Sequence, residues 1–220
     1  MKPARIAVLV IIAAAFAATA LAYPSLPETV ATHWGPSGTP DGFSAKTGVW
    51  LVPVLMAGLA VLLFWLPAIF PLRSNIEAFR PQYEWFIAAL EAFLLVVHAW
   101  TLAWNLGYEV SPNIIMPLGM GLLFVFLGVV MGQAKRNWVF GVRTAWTLSD
   151  DRVWDQTHRV ARWLWIGAGL VTMLGALWPP YAMWFIFVPV IVATVGSIGY
   201  SYVAWVRLGR PQDGGAAPAA

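Results

Sequence analysis

Long apolar runs alternate with short polar links along this chain. Six runs approach the ~20 residues that a helix needs to cross a bilayer. The pattern places them at Arg5 to Ala22, Trp50 to Phe70, Trp85 to Trp104, Ile114 to Met131, Val160 to Trp178 and Tyr181 to Val206. Pro53 falls in a first turn, where a missing N–H is tolerated. Pro67 and Pro71 end or kink the second run, and Pro179-Pro180 forces a tight turn before the last. The predicted fold is all-α: a polytopic integral membrane bundle of six transmembrane helices.

The first run ends in Ala20-Leu21-Ala22, the small-x-small form of a secretory cleavage site. Its apolar core of about seventeen residues exceeds the roughly 7–15 of a signal sequence, which favours a retained helix. The link from Tyr23 to Val49 holds too much Pro and Gly for a long helix. Trp34, Phe43 and Trp50 suggest that it rests at headgroup level. The expected organisation is a two-helix membrane domain over 1–83 with an outer loop at 23–49, then a four-helix domain over 84–206 with an inner loop at 132–159. Residues 207–220 form a tail expected to be disordered.

Composition agrees with lipid as the solvent. Of 220 residues, 60% are hydrophobic and 10% charged, against about a quarter charged in soluble domains. The net charge of +3 does not argue for nucleic acid, because membrane proteins collect Lys and Arg on the cytoplasmic side. With the N-terminus inside, the inner segments hold Lys2, Arg5, Arg73, Arg80, Lys135, Arg136, Arg143, Arg152, Arg159, Arg162, Arg207 and Arg210, and the outer ones only Lys46. That asymmetry predicts both termini inside, in a multi-pass protein of a bacterial cytoplasmic membrane. Without Cys there is no disulfide, thiolate nucleophile or Cys-ligated metal. No cofactor is expected.

Small residues mark close helix packing. Gly128 and Gly132 make a GxxxG on the fourth span, and Ala193, Ser197 and Ser201 a stripe on the sixth. Inside the third span stand Glu91 and His98, seven residues apart and so nearly on one face. About 10.5 Å of rise separates them, too far for a direct bond. Each needs another partner, and Arg162 is within reach of Glu91. They read as an interhelical polar clamp or as a proton or ligand path.

The outer loop holds Glu28, His33 and Asp41, whose spacing matches no metal geometry. Gly35-Pro36-Ser37-Gly38 has the GxSG form of an intramembrane serine hydrolase, but such a serine needs a nearby His base and a helix start. No catalytic residue is assigned. The inner stretch from Gly132 to Arg162 carries six of the thirteen Lys and Arg. Ser149 is expected to cap a helix that begins with Asp150 and Asp151. Asp155 and Arg159 can pair at i, i+4, while Trp154 and His158 share a face. An interfacial helix would account for those. Asn137, Gly141, Arg143, Trp146 and Thr147 are more than a simple helix connection requires.

Asn137-x-x-x-Gly141-x-Arg143-Thr144-x-Trp146-Thr147-Leu148, followed by Trp154-x-x-Thr157-His158-Arg159, closely resembles the signature loop of the SdpI family of bacterial membrane proteins. Pro24, Leu26, Pro27, His33, Gly38, Pro40, Asp41 and Lys46 resemble the N-terminal domain that often precedes it. Together the two cover about residues 5 to 206. Ala145 stands where the family usually has Pro, which should loosen the turn before Trp146, and Gln133 stands where it often has Asn.

The resemblance implies immunity to a membrane-active toxic peptide, and signalling that draws a cytoplasmic transcriptional repressor to the membrane. It implies no enzyme and no direct contact with nucleic acid. Arg143 and Arg159 would supply charge toward a partner or anionic lipid, with Trp146 and Trp154 as anchoring surface. The competing readings are a small proton- or solute-coupled transporter using Glu91 and His98, a hydrolase at Ser37, and a lipid-organising structural protein.

Overall fold

A computed structural model describes residues 2–210. Among these, six helices are long and apolar enough to cross a membrane. The chain begins with α1 (Pro3–Ala22) and continues through a hairpin of β1 (Thr29–Trp34) and β2 (Pro40–Ala45) into α2 (Leu51–Ile69). A short α3 (Arg73–Glu77) leads to α4 (Arg80–Asn105), then α5 (Pro112–Met131). The inner loop follows and contains one short helix, α6 (Ala145–Ser149); α7 (Asp151–Leu174) and α8 (Ala182–Arg207) complete the bundle. The expected spans are therefore present. The expected tail differs at its start, where Leu208 and Gly209 form a turn; residues 211–220 lie outside the described part.

The hairpin was not foreseen. Its strands pair antiparallel from Thr29 opposite Ala45 to Trp34 opposite Pro40, with irregular register on either side of His33. Leu26, Val30 and Val49 are buried together with Leu102 of α4, so the hairpin sits on the bundle. Trp34 is half-buried against Trp100 and Trp104, at ring-centroid distances of 4.5 and 5.6 Å. Phe43 does remain exposed.

Two groups of helices make up the bundle. In the first, α1 packs along α4, with α2 beside both; in the second, α5 packs on α7 and α7 on α8; α4 and α5 join the groups. Small residues permit the second group's contacts. A Cβ on Gly169 of α7 would stand 2.5 Å from the Gly121 carbonyl oxygen of α5. Gly128 faces the Arg162 carbonyl in the same way. On α8, Ala193, Ser197 and Ser201 are all buried. Backbones that approach this closely gain van der Waals contact where lipid supplies no hydrophobic drive.

Six traversals put the inner loop, α3 and the starts of α1 and α4 at one end of the bundle, called here the basic end. The hairpin, the 106–111 link and the turn before α8 lie at the other.

Candidate functional site

The inner loop is a folded unit. Asn137 is fully buried, and its amide makes four bonds within the loop: Nδ2 donates to the Lys135 and Phe140 carbonyls, and Oδ1 accepts from the Val139 and Phe140 amides. Thr144 caps α6 and forms a reciprocal capping box with Thr147. The buried Thr147 hydroxyl also donates to the Val142 carbonyl at 2.7 Å. The turn at Ala145 thus closes without the family's proline. The second helix is capped by Asp150, which accepts from the Arg152 and Val153 amides. Ser149 is instead the last residue of α6, its hydroxyl bonded to the Trp146 carbonyl. Asp150 caps because its extended backbone turns its carboxylate back onto the first free amides of α7.

Trp154 and His158, one turn apart on α7, stack at 3.9 Å beneath this loop, and both are buried. The Trp154 indole donates to the Ala134 carbonyl. His158 Nε2 accepts from the Val142 amide at 3.0 Å, so its proton is on Nδ1, which faces the Trp154 carbonyl at 2.9 Å. Gly141 has φ of +109° and lies against the imidazole. Phe140 inserts among Phe79, Tyr83 and Phe86 of α4 and the turn before it, which fixes the loop to the first helix group. Two residues not singled out from sequence complete the unit. Arg136 binds Asp151 and the Leu148 carbonyl, and Asn75 of α3 donates to the Arg136 carbonyl.

The polar signature is therefore largely turned inward. Arg143 and Arg159 remain exposed, and Trp146 is half-buried with its ring edge-on to Tyr202. Arg143 donates to the carbonyl of Trp138, itself 42% exposed. Asp155 and Arg159 form no ion pair with each other. Both line a recess of about 320 Å³ with Lys135 and Arg162. Arg162 forms no hydrogen bond or ion pair with Glu91; it packs on Gly132 and over the Trp163 ring.

The third span carries more than Glu91 and His98. Glu84, Glu91, His98 and Asn105 follow at steps of seven, and the first three are buried to within 1%. Arg5 of α1 donates to Glu84 at 2.7 Å, joined there by Arg80. Thr19 of α1 bonds His98 Nε2 at 2.7 Å. Both pairs are 79 residues apart, so α1 and α4 run parallel and in register. That offset sets Ile12 level with Glu91, and neither Glu91 oxygen has a hydrogen-bond partner. Asn105 ends the column by exchanging two bonds with the Ala31 backbone of β1.

At the hairpin, exposed His33 pairs with Asp41 at 2.5 Å. Ser37 is exposed and its hydroxyl partner is Thr39. Neither imidazole nor helix start is supplied to it. Leu26 is buried, while Pro24 and Pro27 are exposed. Gly38 is buried against Ser111 and Asn113 at the start of α5, where Asn113 donates to the Pro36 carbonyl. Among the described residues, no three His, Asp or Glu side chains are placed to hold a metal.

Residues 133–201 match the model of the SdpI/YfhL protein family, and residues 10–57 that of a domain of unknown function, DUF1648. The chain is similar to the immunity protein SdpI of Bacillus subtilis (strain 168), at 27% identity over 203 residues covering 91% of this chain and 95% of that protein. No solved structure matches it. The family resemblance carried by the two loops is thus borne out, in the expected order along the chain.

Proposed function

We propose that this six-helix membrane protein confers resistance to a membrane-active toxic peptide, in the manner that the name of its Bacillus relative implies. The observation that carries the reading is the extent of that similarity. It runs through both matched regions and nearly the whole of each chain, rather than through one motif. The basic end faces the cytoplasm of a bacterial cell in this reading, following its excess of Lys and Arg. The hairpin end then meets the peptide. The buried signature residues hold the inner loop in one shape and present Arg143, Arg159 and Trp146 to a cytoplasmic partner, a transcriptional repressor in the signalling form of the proposal.

The test is Arg143→Ala and Arg159→Ala, separately and together, with expression and insertion verified. Loss of partner capture with unchanged melting supports the proposal. Unchanged capture and unchanged peptide sensitivity, in a strain where the wild-type protein gives both, overturns the role of these side chains.

A second reading draws on the column of buried Glu84, Glu91 and His98 with half-buried Asn105, which runs along α4 from one end to the other. Ionisable side chains at membrane depth mark proton paths in other proteins. Proteoliposome flux that disappears in Glu91→Gln would favour it, and absence of flux in the wild type removes it.

A further inference from the structure

A recess of about 320 Å³ opens where α5 ends against α7, at the basic end. Lys135, Asp155, Arg159 and Arg162 line it with Gly132 and Trp163, and its wall is more polar than apolar. Three cations against one carboxylate leave it a net of two positive charges. Lys135, Asp155 and Arg159 are exposed, and Arg162 is half-buried. None of the four enters an ion pair among the described residues.

The fold gathers these charges. Arg159 and Arg162 stand at i, i+3 and so are neighbours on the surface of α7. Arg162 lays its stem across the end of α5, where a Cβ on Gly132 would stand 2.6 Å from its Cδ. Lys135 follows on a segment tied at two points. Trp154 donates to the Ala134 carbonyl at 2.8 Å, and Asn137 donates to the Lys135 carbonyl at 2.7 Å. Buried loop residues thus hold an exposed lysine in one recess with two arginines. Like charges held together repel, and an anion between them removes that cost.

The recess also lies at the depth of a headgroup. Helix α5 ends at Met131, and the apolar part of α7 begins at Val160. Exposed Trp163 is of the type that collects at the membrane–water interface. From Arg159 to Trp163 the helix rises about 6 Å, within the roughly 5–8 Å of one headgroup layer. Basic pockets between transmembrane helices on the cytoplasmic side bind lipid phosphates in other proteins.

We propose that this recess binds the phosphodiester of an anionic glycerophospholipid of the phosphatidylglycerol type. The phosphate oxygens accept from Lys135, Arg159 and Arg162. The Asp155 carboxylate accepts hydrogen bonds and donates none, so it favours a headgroup that carries hydroxyls over a bare phosphate. A zwitterionic lipid would bring a further cation to a site that is already positive. The lipid site stands apart from the resistance reading. Arg159 is shared with the partner surface proposed above, and Lys135 is not.

The test is native mass spectrometry of the full chain in non-ionic detergent, titrated with phosphatidylglycerol, phosphatidylcholine, phosphatidic acid or inorganic phosphate. One phosphatidylglycerol should bind before any phosphatidylcholine. Lys135→Gln and Arg159→Gln, at exposed positions and checked by melting, should each raise its half-saturating concentration roughly fivefold. Arg73→Gln removes an exposed charge at the same end but outside the recess, and should leave it unchanged. Asp155→Asn should narrow the preference for phosphatidylglycerol over phosphatidic acid. The proposal is overturned if phosphatidylcholine binds equally well, or if Arg73→Gln shifts the titration as far as the recess variants do. It is also overturned if inorganic phosphate binds as readily, which would make the recess a site for soluble anions. Weakened lipid binding in Lys135→Gln with partner capture intact upholds the lipid site as distinct from the partner surface. Absence of phosphatidylglycerol selectivity in the wild type overturns it even where peptide resistance stands.

Discussion

The imidazole of His158 occupies the space where a side chain on Gly141 would begin. A Cβ there would meet Nε2, the atom that accepts the Val142 amide. The backbone of Gly141 is also left-handed, at φ +109°. Gly141→Ala should therefore cost of the order of 1–3 kcal/mol from backbone strain alone, plus the displacement of His158. Thermal unfolding in detergent is the measurement. A variant that melts with the wild type would show that the loop is not locked onto α7 in this way.

Ala145 opens α6, directly after a cap residue whose backbone is extended at φ −100°, ψ 165°. That conformation suits a residue before proline, and the first position of a helix tolerates a missing N–H. Ala145→Pro, which restores the residue usual in the family, should stabilise the protein by about 0.4–1 kcal/mol by restricting the unfolded chain. A lower melting temperature would mean that the Ala145 amide has a role the capping geometry does not show.

Asp150 is held below the usual aspartate range, first by its bonds to the Arg152 side chain and, against the opposing cost of burial, by the Arg152 and Val153 amides. A carboxylate whose folded affinity for a proton is reduced stabilises the fold above its ordinary range, near pH 3.8, and that contribution is lost as the pH falls through the lower folded value. Asp150→Ala should cost about 0.5–2 kcal/mol at neutral pH, as helix caps do. The gap to the wild type should narrow toward pH 3. A pH-independent gap would assign the loss to something other than the charged cap.

Gly169 and Gly121 set the spacing of α7 and α5. A methyl on Gly169 would stand 2.5 Å from a backbone carbonyl that has nowhere flexible to go. Gly169→Ala should destabilise by about 1–3 kcal/mol. Gly167→Ala, on the same helix with open space around it, is the control and should be close to neutral. Equal melting of the two variants would refute the close contact.

The spans were legible because a helix in lipid must be apolar for its whole length, so hydropathy reports them directly. The hairpin was hidden. Its first strand, TVATHW, is rich in strand formers, but its partner PDGFSA has no β-branched residue and carries Pro40 and Gly42, so the pair rests on Leu102, Trp100 and Trp104 rather than on local preference alone. The partners of the third span were hidden for a different reason. Thr19 as the partner of His98, and Arg5 as that of Glu84, follow only once α1 and α4 are known to be parallel neighbours. The inner loop shows the limit of reading polarity as outward function. Asn137, Thr147, Trp154 and His158 have the composition of a binding surface, yet each is directed at backbone atoms of its own loop. Burial separates those uses, and sequence does not report it.

Cutting the chain after Ala22 would do more than subtract one helix. Glu84 would keep Arg80 but lose Arg5, and the His98 ring would face an apolar gap with neither nitrogen bonded. Toward α4, the first helix behaves as a permanently tethered ligand that brings a counter-ion and a hydrogen-bond acceptor. A truncated chain supplied with the detached N-terminal segment would regain its lost partners only by binding it, so complementation in trans would measure how tightly that ligand is held.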